Sequence, residues 1–586
     1  MDDKRNLIFA VLLTGLILFG WPYVANMFFP TPNVVEAPAK TEAAVPGTAT
    51  SGAAITSAAA PKNVPIGDAL KSTIRVLVET PKLKGSINLE GARIDDLLLL
   101  THRTALPKDS PPVRLFAPSG TAKAHFARFG WVGSGVTLPD DKTVWTPSAS
   151  KLTSETPVTL SWTNAEKQKF DIILSVDKDY MITAEQRFTN GAAAEAEVAP
   201  FGLLSRNGQS PDPDTWNIHV GPMGVFNGEI VNINYDDVIE APKGEVDYST
   251  TGGWLGETEK YWLAALIPDQ KVKTNASFKT ADGYYWSQMV NATQSKVAPG
   301  ATISQTSRLF AGAKEVETLD MYANAKENAV PLLDYSIDWG WFWFIAIPFF
   351  WILHWLFGVF GNFGVAIIGL TIVVRLFMFP VAQKQFASMA QMRVVQPKMK
   401  AVQERWKDDK PRMQQEMMKL YKDEKVNPLA GCLPILLQIP IFFALYKILM
   451  LSIEMRHQPF ALWLKDLSVP DPSAHLLFDM LGTGITLPAF LAIGVLPILL
   501  GVTMWLMQKL NPQPMDEIQK QVFAIMPWFL MFIMAPFAAG LQLYWVMSNL
   551  ISIAQQKWLY SRHPILKQQA AKDAEEKAAT KAKAGT

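Results

Sequence analysis

The sequence predicts a polytopic α-helical membrane protein that carries a large all-β domain outside the bilayer. Three observations predict it: apolar runs crowd the chain after residue 338, short alternating runs fill residues 66–312, and basic residues concentrate on alternate connections of the apolar part. The 586 residues are 49% hydrophobic with a net charge of +1, averages that hide two separate textures. So balanced a charge gives no reason to expect nucleic-acid binding, and no specific nucleic-acid site is identified.

A charged head, residues 1–6, precedes an apolar run at residues 7–29, long enough to span and longer than the core of a signal peptide. Residues 1–30 are therefore read as an uncleaved transmembrane anchor, with Lys4 and Arg5 favouring a cytoplasmic N-terminus. Residues 31–65 are Ala, Pro, Thr and Ser with almost no large apolar side chain, the composition of a flexible linker. In residues 66–335 the alternating runs 72–80, 84–90, 157–162, 170–176, 180–189 and 302–310, broken by Gly, Pro, Asn and Asp, predict a β-sandwich. Val316, Leu319, Met321 and Tyr322 then recur as on a helix leading back to the membrane.

Residues 336–358 are rich in Trp and Phe, and the aromatic-belt preference favours an interfacial helix there, with a full span as the alternative. Residues 359–383 read as the second span, 384–427 as a helical hairpin, and 428–560 as spans three to six. Those four runs are 429–451, 485–508, 521–535 and 537–558, with Pro536 dividing the last pair. Residues 561–586 form a basic tail. Segment 384–425 carries eleven basic and six acidic residues, whereas Arg456 and Lys465 alone are basic in 452–484. The positive-inside rule puts the hairpin and both termini in the cytoplasm and the β-domain outside.

Arg375 is the lone charge in the run 356–381. A charge at membrane depth costs roughly 2.5–3.5 kcal/mol on insertion scales, so it is snorkelled, paired or kept for use. Thr371 stands one turn earlier on the same face. Gln438, Gln542, Ser548 and Asn549 add uncharged polar groups in other spans, but no acid that would neutralise the arginine. Each could line a wet groove or simply bond a neighbouring helix. In the hairpin, Met389, Met392, Met399, Met413 and Met417 recur on apolar stripes that either pack on each other or offer a soft surface to varied apolar partners.

Catalytic signals are poor. The chain has no HExxH, GxSxG or P-loop, its seven histidines lack ligand spacing, and its single cysteine, Cys432, lies in an apolar stretch. Neither an intramolecular disulfide nor a cysteine metal cage can form, and no catalytic residue, metal or cofactor is expected.

Several segments carry a resemblance: Thr371 to Arg375, Phe379-Pro380, Gln396-Pro397-Lys398, Val426-Asn427-Pro428-Leu429, Gly431-Cys432 and Gln438-Ile439-Pro440-Ile441-Phe442. Pro459-Phe460-Ala461-Leu462-Trp463, Asp466-Leu467 and Ser548-Asn549-Leu550 continue it in order. Together they resemble the YidC/Oxa1/Alb3 family of membrane protein insertases. The resemblance implies a five-helix insertase core with an anchor helix and a periplasmic β-supersandwich, and a hydrophilic groove open to the cytoplasm. It implies groove positions at Thr371 and Arg375 and substrate contact on the helix that holds Gln438; the polar Gln542 and Asn549 of the last span, with Trp545 between them, are the further groove candidates. It implies nascent membrane proteins as substrates, and the ribosome, Sec translocon components and the phospholipid bilayer as partners, with chaperone work beside insertion. Two features depart from the family: Trp545 stands where a tyrosine is expected, and the 470–488 loop is longer. A small-solute channel or transporter using Arg375 as an anion site, or a scaffold that inserts nothing, are the competing readings.

Overall fold

The computed structural model describes residues 34–36, 63–107, 109–212, 218–424, 433–473, 493–510 and 517–562. The predicted N-terminal anchor, most of the linker, Cys432, nearly all of the 470–488 loop and nearly all of the basic tail lie outside the described residues. Two compact units are present, residues 30–338 with 451–453, and the remainder.

The first unit is built on two sheets. One has ten strands in the order Val34–Glu36, Glu229–Asn232, Gly221–Phe226, Trp254–Thr258, Trp262–Ile267, Thr302–Ala313, Met181–Thr189, Lys169–Val176, Val158–Thr163 and Thr146–Pro147. The other has eleven, with a spine running Glu245–Thr251, Lys273–Ala281, Tyr284–Asn291, Ala196–Asn207, His125–Ser134, Arg93–Arg103, Leu83–Asn88, Arg75–Glu79 and Lys151–Leu152. Nearly every pairing is antiparallel, and local turn chemistry fixes several registers. Asp282-Gly283 and Asn227-Gly228 both take positive φ, as a two-residue hairpin turn that matches strand twist requires.

Alternation drives the packing. Along Met181–Thr189 the residues Ile182, Ala184, Gln186 and Phe188 are buried while Thr183, Glu185 and Arg187 are part-exposed. Phe170 and Phe188 meet with tilted rings at 4.9 Å, and Trp131 of the other sheet meets Phe170 edge-on at 5.1 Å. Phe170, Phe188 and Phe310 are each 0% exposed; such burial is worth about 1.5–3 kcal/mol per side chain. The inward Gln186 donates its Nε2 to the Gly130 carbonyl of the facing sheet, so its amide nitrogen is not left bare in the core.

Three short helices, α1 (Ile66–Lys71), α2 (Tyr235–Glu240) and α3 (Val316–Ala323), complete this unit. Just before α3, the Glu315 carboxylate accepts from Lys82 Nζ at 2.6 Å, Tyr180 Oη at 2.8 Å and Thr318 Oγ1 at 2.9 Å, with His102 Nε2 at 3.1 Å. Burial alone would raise this carboxyl, yet the bonds from His102, Lys82 and Tyr180 hold it down at about 2. One carboxylate thus ties the start of α3 to both sheets.

The second unit is helical: α4 (Trp343–Phe360), α5 (Phe363–Phe377), α6 (Phe379–Arg405), α7 (Lys410–Asp423), α8 (Leu433–Leu451), α9 (Val495–Leu510), α10 (Glu517–Met534) and α11 (Ala539–Arg562). α4 starts seven residues after the predicted interfacial segment begins. Among the described residues it is the one helix that is long and apolar enough by itself to cross a membrane. Gly361, in the left-handed conformation, ends it. The predicted span through residue 383 is interrupted: α5 and the first part of α6 meet at a 58° bend. Pro380, in the first turn of α6, has no N–H to continue the α5 ladder. α11 packs along both α5 and α9 and is the centre of the bundle.

Candidate functional site

Arg375 lies near the C-terminal end of α5, and its partner is on α11. Its Nε donates to Ser548 Oγ at 3.1 Å, and a terminal guanidinium nitrogen donates to the same oxygen. Among the described residues no carboxylate pairs with it. A neutral hydroxyl therefore orients the charge and leaves it uncompensated, with other guanidinium N–H groups available for a ligand.

One turn before Ser548, the buried Tyr544 hydroxyl accepts from Gln438 Nε2 of α8 at 3.0 Å. Tyr544 and Ser548 share one face of α11 at the four-residue spacing that brings side chains together, and between them they bond both α5 and α8. Trp545 points elsewhere and meets Phe442 of α8 edge-on at 5.3 Å. A tyrosine stands next to it, at 544, on a different side of the helix.

The remaining sequence-predicted groove residues are bonded inside the bundle. Thr371 is 0% exposed and returns its hydroxyl to the Ile367 carbonyl one turn back, at 2.7 Å. Asn549 Nδ2 donates to Thr503 Oγ1 of α9 at 3.1 Å. Gln542 donates from one Nε2 to the carbonyls of Met534, Ala535 and Phe537, at 2.8, 3.2 and 2.8 Å, and so caps the turn between α10 and α11. Gln542, Trp545 and Asn549 form a stripe at i, i+3 and i+7, whereas the residues that reach Arg375 and Gln438 lie about 120° around the helix. Sequence reasoning selected the polar stripe and passed over Tyr544; the four-residue spacing from Ser548 was the available signal.

The hairpin stripes turn largely inward. Val395 and Met399 form a small buried core against Met392, Met417, Leu420 and Tyr421. Met413 is part-exposed and Met418 is 55% exposed. Met389 lies on α6, its side chain outside the described residues. At the tip, Asp409 caps α7 by accepting from Arg412 N at 3.1 Å, and the Arg412 guanidinium lies 4.0 Å from the Trp406 ring centre.

An apolar helical bundle whose helices meet through an arginine, a tyrosine and neutral amides, in a chain that also carries a two-sheet sandwich, fits the class of integral membrane proteins with a folded domain outside the bilayer. The comparisons agree. Residues 75–352 match the YidC periplasmic domain and residues 355–568 match the family described as 60Kd inner membrane protein. A membrane protein insertase YidC from Zymomonas mobilis subsp. mobilis is 44% identical over 569 residues, covering 96% of each chain. Its namesake from Ruegeria pomeroyi is 42% identical over 599 residues with the same coverage. A crystal structure of an active YidC insertase with its first transmembrane domain resolved shares 18% identity at a TM-score of 0.35, covering 84% of this chain and 93% of that one. The chain belongs to the YidC family of membrane protein insertases. The family is one of inner-membrane proteins with a periplasmic domain, not one of enzymes.

Proposed function

We propose that this chain moves weakly hydrophobic segments of newly made membrane proteins from the cytoplasm into the bilayer, along a polar path between α5, α8 and α11. The observation that carries this reading is Arg375: a charge within an apolar helix, oriented by Ser548 and without an acidic partner among the described residues. A permanent ion pair would have discharged it, whereas a passing acidic flank can use it. The polar flank of the substrate is hydrated and attracted there while its apolar part passes into lipid, and apolar burial supplies the drive without nucleotide hydrolysis.

In this reading the core is five helices joined to an N-terminal anchor, both termini are cytoplasmic and the β-domain is periplasmic. Thr371, Gln438, Gln542, Trp545 and Asn549 line or support the path, and the methionine hairpin receives substrate from the ribosome, alone or beside the Sec translocon. The test is insertion into vesicles reconstituted with purified protein. Arg375→Ala should impair substrates with acidic exported flanks far more than those with neutral flanks, and cysteines replacing Thr371 or Gln438 should crosslink to a stalled nascent chain. Normal insertion of every acidic-flank substrate by the Arg375→Ala variant would refute the role of the arginine.

A further inference from the structure

Three helices of the bundle begin on one loop. Asn362, the N-cap of α5, donates its Nδ2 to the Phe460 carbonyl at 2.9 Å while its Oδ1 accepts from Val365 N at 3.1 Å. At the start of α11, Ala539 N and Gly540 N donate to the carbonyls of Val469 and Leu467 at 2.8 and 2.9 Å. At the start of α9, Leu496 N donates to Asp471 Oδ2 at 2.7 Å and Val495 N to Ser473 Oγ at 2.7 Å. The first turn of any helix has N–H groups without intrahelical partners; here one loop supplies acceptors to those of α9 and α11 and holds the side chain that caps α5.

The loop is keyed in sterically as well. A Cβ on Gly364 of α5 would stand 2.0 Å from the Phe460 ring, and one on Gly494, next to α9, 2.5 Å from Asp471 Cγ. Asp471 has a particular place in it. The side chain is buried, and its Oδ1 accepts from the Trp463 indole N–H and from Ser473 N, both at 2.9 Å, while Oδ2 holds α9. One carboxylate thus joins the tip of the loop to a helix N-terminus, where negative charge is favoured. Asp466, also buried, bonds Ser468 N and Oγ and His457 N, all within the loop itself.

Along their helices Arg375 is roughly 20 Å from Asn362, and Ser548 roughly 14 Å from Ala539. The loop therefore closes the end of the bundle opposite the end where α6 departs. We infer that the 455–473 loop is the outer seal of the insertion path and that Asp471 is its positioning residue, fixing α9 to the loop so that the polar layer around Arg375 does not open outward. This rests on the proposed insertase reading, which puts that end outside.

The test uses the full chain in sealed liposomes and reads ion leak and substrate insertion on the same preparation. Asp471→Asn keeps the size of the side chain but turns an N–H₂ toward a backbone or indole N–H donor, and should raise the leak several-fold at unchanged helix content. Asp466→Asn, in the same loop, should stay tight. Gly494→Ala leaves the carboxylate in place but presses on it, so it should leak as Asp471→Asn does, and it serves as the readout if the latter does not fold. Tight liposomes with folded Asp471→Asn or with Gly494→Ala would overturn the inference, as would equal leak from Asp466→Asn. Native protein that is tight yet inserts nothing would instead overturn the insertase reading and leave the seal standing.

Discussion

Arg375 of α5 and Ser548 of α11, 173 positions apart, are joined through two nitrogens of one guanidinium to a single hydroxyl oxygen. The hydroxyl aims the charge without cancelling it. Removing it by Ser548→Ala should leave insertion measurable but several-fold slower for acidic-flank substrates, because the arginine keeps its charge and loses its orientation. Arg375→Lys should behave similarly, since an ammonium lacks the planar fork that reaches one oxygen with two nitrogens. Insertion rates in reconstituted vesicles, compared with those of Arg375→Ala, check both.

Gln542 should matter through the fold of the bundle. Its amide nitrogen serves three carbonyls in the turn from α10 to α11, at 0% exposure. Gln542→Ala leaves buried acceptors bare, a loss of about 1–3 kcal/mol. Gln542→Glu is expected to do at least as much harm, because a carboxylate repels the same carbonyls. Unfolding titrations in mixed detergent micelles measure the difference.

The sandwich was legible where one sheet face is wetter than the other. The run read at 180–189 is the strand Met181–Thr189, and that read at 302–310 extends to Ala313. Ala196–Asn207 and His125–Ser134 were not read, because most of their residues are buried whichever way they point, and period-two contrast vanishes there. The site was legible to the level of the residue and not of the face. Arg375 stood out by the cost of its charge, but which side of α11 it meets depends on how α5 packs, and periodicity within one helix does not fix that. The loop that gathers three helix N-termini was invisible for the same reason, since Asp471 is an ordinary loop acid until its partners at Trp463 and Leu496 are in place.

The hairpin methionines should divide by burial. Met399 is 2% exposed in the core shared by α6 and α7, whereas Met418 is 55% exposed. Met399→Ala should cost about 2–5 kcal/mol locally and speed amide exchange throughout the hairpin. Met418→Ala should leave exchange unchanged, and any effect it has on insertion then belongs to substrate contact. Hydrogen exchange and crosslinking on the same variants separate the two roles.

Glu257 gives the β-domain a pH dependence of definite sign. Its strand, Trp254–Thr258, places the carboxylate inside the domain at 2% exposure, where neither oxygen has a hydrogen-bond partner among the described residues. Arg206 is 3.7 Å from it but is also claimed by Glu259 at 2.6 Å. Burial dominates, partly offset by Arg206, and Glu259 adds to it, so that the carboxyl is pushed up from 4.5 to about 7. The folded chain therefore holds this proton more tightly than the unfolded one. The stabilisation is fully present below pH 4.5 and is lost as pH rises through about 7. Amide exchange of Trp254–Thr258 in the full chain, corrected for intrinsic rates, should accelerate as pH rises from 4.5 to about 7 and level off above that. Glu257→Gln should flatten that profile while leaving the Arg206–Glu259 pair in place. A profile unchanged by the substitution would assign the pH dependence to another group.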